Sequence, residues 1–206
     1  MKLIAAALAF LALTLPAGAY AYDTPLTDPG AKKLLEKHAE TAQKYADQFG
    51  CSNFVWGNIQ NKSGGQIVTL QYMPPELEDP NKWTRMLSVT IYALSGDKKA
   101  DKDAQKNLIE LLRTQFMRPG NLVSADENYL INNNEDPALF IQYTTGRGTP
   151  AEVTYAGSFL RHTENSAAFI QLSARSRPLK KSESVNMHLL VNPQAANWPP
   201  EKKGRK

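Results

Sequence analysis

The alternation of apolar and polar positions predicts two long helices in a chain that otherwise favours short strands. Apolar residues recur at steps of three and four through residues 28–50, which predicts an amphipathic helix. Asp28 can cap its start, and Gly50 suits the position just after its end. A second helix is predicted over residues 99–117, before the helix-breaking Arg118-Pro119-Gly120. The apolar stripe of the first helix consists of Leu34, Leu35, His38, Ala39, Ala42, Tyr45, Ala46 and Phe49.

Seven shorter segments are predicted to be strands, because β-branched and aromatic residues recur in them between turn-forming residues. The loop over residues 61–65 joins the first two strands as a hairpin, and residues 163–166 join the last two. A short helix is a further prediction over residues 183–190. The predicted strands cover 52–60, 66–73, 83–94, 121–131, 138–145, 152–162 and 167–176.

The strand over residues 83–94 carries one charge on its apolar face. Every second residue from Trp83 to Ala93 is apolar except Arg85, so this face is predicted to point to the core. An unpaired arginine inside the core would be very costly. Arg85 is therefore predicted to lie at the rim, where it latches an acidic loop. The acidic residues of that loop are Glu76, Glu78 and Asp79.

A turn centred on Glu164-Asn165 sets a register for the last hairpin. In that register Phe159 faces Ile170, and Gly157 faces Leu172. One face of the pair is then continuously apolar, while the opposite face mixes apolar and polar residues. A sheet of this kind needs helices to cover at least one of its faces.

The order of these elements predicts an α+β fold with a mostly antiparallel sheet of about six to seven strands and two main helices. A strand that begins Trp83-Thr84-Arg85-Met86-Leu87 follows a proline-rich loop and precedes a helix and a meander. In this order, over residues 52–176, the chain resembles the PsbP-type sandwich and is similar to small exported bacterial proteins of unknown function. The resemblance implies that fold and a tendency to dock to other proteins, and it assigns no site residues.

The first 21 residues have the pattern of an export signal. Lys2 supplies a positive charge, and Leu3 to Leu15 form an uncharged apolar run. This run of 13 residues is shorter than the roughly 20 that a membrane-spanning helix needs. Cleavage after Ala21, or alternatively after Ala19, predicts an exported protein that is periplasmic or secreted. The alternative is an uncleaved N-terminal anchor.

The remaining chain is predicted to be one domain over residues 22–197 with a disordered basic tail over 198–206. The formal net charge of +4 comes from the two ends, because residues 22–200 hold 19 basic and 19 acidic residues. A body without net charge has no overall field to gather nucleic acid or acidic lipid. No stretch after the signal is apolar enough for a transmembrane helix.

Sequence motifs of common catalytic and metal sites are missing. Ser158 follows a glycine but lacks the rest of a nucleophile elbow, so it is predicted to be structural. The three histidines are far apart in sequence, with His38 expected to pack in its helix and His162 at the surface. Residues 97–103 lack the glycine and glutamate of a calcium loop and are predicted to be a solvated helix start. We therefore predict no catalytic residue, metal ligand or cofactor.

Cys51 is the single cysteine, so no disulfide can form within the chain. A buried thiol that packs as a small apolar group is one interpretation. A nucleophile and an intermolecular bridge are the alternatives, because a leftover thiol in an oxidising compartment is reactive when exposed.

Arginines near the ends of the last three strands form the one candidate binding constellation. Antiparallel pairing would bring Arg147, Arg175 and Arg177 to one end of the sheet and leave Arg161 at the other. Three forked guanidinium groups could grip a carboxylate or phosphate, so the first three are candidate anion or partner contacts. The alternative is that these charges protect strand edges against aggregation.

These features predict an exported, non-enzymatic protein that docks to, or assists, a protein partner in the bacterial cell envelope. One alternative is a carrier that holds a small apolar or anionic ligand between sheet and helix. Another is an unrecognised hydrolase that uses His38 or His162 as its base. Candidate lining residues of the carrier are Trp56, Trp83, Tyr72 and Tyr92.

Overall fold

The structure of this chain is a computed structural model. The predicted signal, the predicted strand over 121–131 and the basic tail lie outside the residues that it describes. The described residues are 29–62, 65–77, 79, 82–116, 136–146, 148–150, 152–175 and 177–192.

The described residues form three helices and one antiparallel sheet of six strands, which confirms the predicted α+β fold. All three helices begin and end within two residues of the predicted positions, and none of them is long and apolar enough to cross a membrane. The helices are α1 (Pro29–Gln48), α2 (Lys98–Phe116) and α3 (Lys181–Leu189). The strands are β1 (Asn53–Lys62), β2 (Gly65–Met73), β3 (Arg85–Ala93), β4 (Leu139–Thr145), β5 (Val153–Thr163) and β6 (Ser166–Arg175).

The sheet has the strand order β1-β2-β3-β6-β5-β4. The β1–β2 hairpin continues into β3, and the meander of β4, β5 and β6 returns so that β6 pairs antiparallel with β3. Strands β3 and β6 therefore lie in the middle of the sheet, and β1 and β4 lie at the edges of its described part.

The central position of β3 corrects the prediction that only one of its faces is core. Every residue from Met86 to Tyr92 is buried, including Ser88 and Thr90. The reason is that helices cover both faces of the sheet. We call one the α1/α3 face, where Leu87 packs in a cluster with residues of α1 and α3. We call the other the α2 face, where Tyr92 packs with residues of α2.

The last hairpin has a register that differs by one residue from the prediction. At the turn Thr163 pairs with Ser166 as predicted, but a β-bulge at His162 follows, and Arg161 pairs with Ala167. One extra residue on one strand shifts every pair beyond it. As a result Phe159 faces Phe169 and not Ile170, and Gly157 faces Gln171 and not Leu172.

The observed register depends on glycine at position 157. A Cβ atom at this position would come within 2.6 Å of Cζ of Phe169, which belongs to the α2 face. Such a contact is far shorter than real Cβ contacts, so the phenyl ring can cross β5 here only because glycine has no side chain.

Candidate functional site

Two arginines meet one buried glutamate at the end of the sheet where β3 begins. Nη2 of Arg85 lies 3.1 Å from Oε1 of Glu183, and Nη2 of Arg177 lies 3.2 Å from the same oxygen. The other oxygen of Glu183 accepts a 2.7 Å hydrogen bond from the backbone N–H of Lys180, just before α3 begins. We call Arg85, Arg177 and Glu183 the Glu183 cluster.

The charges of the Glu183 cluster are unequal, because two guanidinium groups share one carboxylate. The side chain of Glu183 is 8% exposed. Burial acts to raise the pKa of this carboxyl, but hydrogen bonds from Arg177 and the Lys180 N–H, together with the charge of Arg85, hold the pKa below its ordinary value. Within the described part of the chain, the buried Nε of Arg85 has no hydrogen-bond partner.

Arg85 is predicted to latch the acidic loop, but in the structure its ion-pair partner belongs to α3. Its guanidinium pairs with Glu183 of α3, whereas Asp79 of the acidic loop pairs with Lys82 at 3.7 Å. Glu78 lies outside the described residues. The prediction failed because it considered acids near Arg85 in sequence, and Glu183 reaches this end of the sheet only after β6 has paired with β3.

The candidate arginines are only partly described. Arg147 lies outside the described residues, although its neighbours Gly146 and Gly148 both adopt positive φ, 63° and 76°. Arg177 belongs to the Glu183 cluster, and the guanidinium of Arg175 lies 5.7 Å from the ring centre of Trp83. A cation over an aromatic face is a stabilising contact. Binding of an anion or partner by these residues stays a prediction.

The opposite end of the sheet holds a second ion-pair cluster, in which one arginine lies between two aspartates. Oδ1 of Asp101 accepts hydrogen bonds from the backbone N–H and the hydroxyl of Ser95, at 2.8 and 2.7 Å, and Oδ2 accepts from the N–H of Gly96. Nη2 of Arg161 lies 3.6 Å from Oδ2, and Nη1 of Arg161 donates to Asp136. We call Asp101, Arg161 and Asp136 the Asp101 cluster.

The helix start over residues 97–103 is largely exposed, as predicted, and Asp101 is the exception. Asp101 is 1% exposed, although lysines surround it in sequence. Burial acts to raise the pKa of this carboxyl. The hydrogen bonds from Ser95 and Gly96 and the charge of Arg161 outweigh burial, so the pKa lies below its ordinary value. Arg161 also donates hydrogen bonds to the carbonyl oxygens of Thr163 and Glu164.

The three histidines lie on one side of the sheet, under or within α1 and α3. His162 is half-buried, not at the surface as predicted, and its ring centre lies 6.0 Å from that of Tyr45 on α1. His188 of α3 is fully buried and stacks on Phe140 with ring centres 4.4 Å apart. His38 lies on the same stripe of α1 as Tyr45, two helical turns earlier.

Every histidine is held in its neutral form by its surroundings. Burial, followed by the charge of His38, lowers the pKa of His162. Burial, followed by the charge of Lys37, lowers the pKa of His38. Burial alone lowers the pKa of His188 to about 4. The sequence signal for this grouping is weak, because only the position of His38 on the α1 stripe indicates burial.

A cleft of about 400 Å³ opens beside His162. Apolar residues from β5 and the end of α3 form much of its wall, and the Asp136–Arg161 pair lies at its rim. The lining residues are Asp136, Pro137, Ala138, Leu160, Arg161, His162, Thr163, Glu164, Leu190 and Val191.

The other candidate chemical groups are buried structural elements. Cys51 is a free thiol with no exposed surface, and burial raises its pKa to about 11. This confirms the buried interpretation, because such a thiol is a poor nucleophile. The hydroxyl of Ser158 donates to the carbonyl of Met187 and so anchors α3. Tyr72, Tyr92 and Trp83 fall in three different apolar clusters, so they do not line one cavity.

The chemistry of the two clusters is that of structural ion pairs. Both carboxylates are ionised and saturated with donors, and the described residues contain no group of three or more side chains that could hold a metal ion. Comparisons with known protein families, curated proteins and solved structures find no match. The resemblance to the PsbP-type sandwich therefore stays a prediction.

Proposed function

We propose that this chain is an exported, non-enzymatic protein that docks to a protein partner in the bacterial cell envelope. Export rests on the signal pattern of the first 21 residues. Docking rests on the edge of the sheet formed by β1, and this is the observation that carries the proposal.

Strand β1 is long and nearly uncharged, and it lies at one edge of the described part of the sheet. It spans 10 residues, has no proline, and its only charged residue is Lys62 at its end. Sheet edges of this kind offer unpaired N–H and C=O groups, and natural proteins usually protect them with charge, proline or short length. Phe54 on β1 is 51% exposed and is the only exposed large apolar side chain among the described residues.

Strand addition is the docking mode that fits this edge. An extended segment of the partner would pair with β1, and backbone hydrogen bonds would provide affinity. Phe54 would provide specificity by packing against an apolar side chain of the added strand, since its ring already contacts Tyr72 edge-on at 5.6 Å. The bulge between Phe54 and Trp56 limits the continuous pairing to the rest of the strand.

The test compares partner capture by three variants after crosslinking in envelope extracts. Phe54→Ser removes the apolar contact, and Asn58→Lys places a charge in the middle of the edge. Asp103→Ser, exposed on α2 at the other face, is the matched control. We expect both edge variants to lose a crosslinked partner that the wild type and the control retain. Retention of the same partner by both edge variants would contradict docking through β1.

A carrier of a small ligand is a second candidate, favoured by the cleft beside His162. Most donors of Arg161 are engaged within the protein, and apolar residues form much of the wall, so the cleft favours an apolar or uncharged ligand over an anion. Native mass spectrometry of gently purified protein should then show a bound mass that is lost in Leu190→Gln. Absence of any bound mass from the wild type would remove this candidate.

A further inference from the structure

Arg177 and Glu183 form a complete ion pair without any contribution from Arg85. Nη2 of Arg177 donates to Oε1 of Glu183 at 3.2 Å, and Nη1 of Arg177 donates to Oε2 at 3.4 Å. A forked pair of this kind matches the two groups in both charge and geometry. The backbone N–H of Lys180 is a further donor to Oε2, at 2.7 Å. The carboxylate of Glu183 therefore needs no second arginine.

Arg85 is the surplus member of the Glu183 cluster. Its Nη2 lies 3.1 Å from Oε1 of Glu183, an oxygen that already accepts a hydrogen bond from Arg177. Among the described residues this is the one ion pair of Arg85, and its buried Nε has no hydrogen-bond partner there. The side chain is only 21% exposed, so a mostly buried cation has more donors than acceptors. Such an arrangement is costly unless a further acceptor is bound.

The Glu183 cluster also has an excess of positive charge. Two guanidinium groups face one carboxylate, so the cluster has a net charge of one positive unit. Lys180 and Lys181 lie exposed where α3 begins and add to the positive potential. Cations are disfavoured at the start of a helix, where the helix dipole is positive, and an anion stabilises this end. The charges at this end of the sheet thus favour an additional anion.

We propose that the Glu183 cluster binds one carboxylate group of a ligand, which bridges Arg85 and Arg177 from the solvent side. Both arginine side chains retain exposed surface, 21% and 35%. One carboxylate would bring the net charge of the cluster to zero. A phosphate dianion would exceed that charge and would be repelled by Glu183. Strand β2 separates β3 from the β1 edge, so this inference is independent of docking through β1.

An NMR titration of the nitrogen-15-labelled full chain with sodium acetate at pH 7.5 tests the proposal. Sodium chloride keeps the ionic strength constant throughout. We expect the amide signals of residues 84–86 and 180–184 to shift and saturate with a Kd below about 10 mM. The absence of saturable shifts in these two segments would overturn the proposal. Tighter binding of inorganic phosphate than of acetate would overturn the assignment to a carboxylate.

Arg85→Met separates ligand binding from folding. Arg177 and Glu183 stay paired in this variant, so it should fold, while the affinity for acetate should fall by about 10-fold or more. Arg113→Met is the matched control, because Arg113 is 25% exposed and pairs with Glu110 on α2, far from the cluster in the fold. Unchanged acetate affinity in Arg85→Met, or equal weakening in the control, would overturn the proposal.

Arg85→Lys keeps the test valid if Arg85→Met fails to fold. Lysine retains the positive charge but lacks the forked donors of arginine, so the affinity for acetate should fall by about threefold. An affinity equal to that of the wild type would contradict recognition by a guanidinium fork.

Peptides distinguish the two sources of such a carboxylate, a free organic acid and the end of a protein chain. The probes are N-acetylated tetra-alanine with a free C-terminus and the same peptide with a C-terminal amide. Binding of the free-acid peptide about 10-fold tighter than acetate would assign the site to a chain end. Equal or weaker binding would assign it to a small organic acid. Equal affinity of the amidated and free-acid peptides for the cluster would overturn the role of the carboxylate.

Discussion

The Glu183 cluster and the Asp101 cluster both connect a helix to an end of the sheet through a buried carboxylate, but they use different hydrogen-bond donors. In each, an arginine on a strand reaches a buried carboxylate near the start of a helix and so ties that helix to one end of the sheet. Glu183 receives two guanidinium groups and one backbone N–H. Asp101 receives two backbone N–H groups and a hydroxyl at close range, and its arginine is 3.6 Å away.

This difference predicts which cluster depends on charge. Neutral backbone donors stabilise a carboxylate without needing a counter-ion, whereas two arginines around one carboxylate repel each other as soon as that carboxylate is neutralised. The Glu183 cluster should therefore be the more fragile of the two. It should also show the stronger coupling between its members.

The largest effect is expected for Glu183→Gln. This change leaves Arg85 and Arg177 without a counter-charge and should lower the free energy of unfolding by about 3 kcal/mol. Arg85→Met should cost about 1 kcal/mol or less, because Arg177 still pairs with Glu183 and the buried Nε is removed. Urea denaturation of both single variants and the double variant measures the coupling. A coupling energy near zero would contradict the charge-dependent cluster.

Asp101→Asn should have the next largest effect. The amide keeps one acceptor oxygen but loses one set of backbone donors, and we expect a loss of about 2 kcal/mol in the free energy of unfolding. The coupling of Asp101→Asn with Arg161→Met should be below about 1 kcal/mol, since the arginine contributes at a longer distance. If this coupling equals that of Arg85 with Glu183, the distinction between the two clusters is wrong.

A pH titration should separate the two clusters from each other. Glu183 and Asp101 both have lowered pKa values, so their contribution to stability is full above about pH 5 and is lost as the pH falls below 4. Chemical denaturation at several pH values measures how far the free energy of unfolding decreases below pH 4. We expect Glu183→Gln to reduce this decrease more than Asp101→Asn does.

The smallest effect is expected at the acidic loop. Asp79 pairs with Lys82 near the surface, with side chains 43% and 83% exposed, and such pairs contribute little. Asp79→Asn should change the melting temperature by less than about 2 °C. A loss of stability as large as that expected for Glu183→Gln would instead support the predicted contact between Arg85 of β3 and the acidic loop.

The helices and hairpins were predictable because their signals are local. The apolar stripe of α1, the breaker predicted after α2 and the turn at residues 164–165 are local signals, and the ends of α1 and α2 and the pairing at the turn lie within two residues of the predictions. The register of the last hairpin was not predictable beyond its turn. A bulge at His162 inserts one residue, and apolar residues on both faces of β6 gave no warning of the slip.

By itself, the sequence determined the α+β class, the helix positions, the hairpin turns and the structural role of Ser158, whereas the tertiary structure decided among the alternatives for Cys51. Only the tertiary structure decided the buried partner of Arg85, the burial of Asp101 and the grouping of three histidines on one face. The physical reason is distance along the chain. Periodicity reports the environment of a single element, whereas Glu183 meets Arg85, and His162 meets Tyr45, only after β6 has paired with β3 and both faces have been covered by helices.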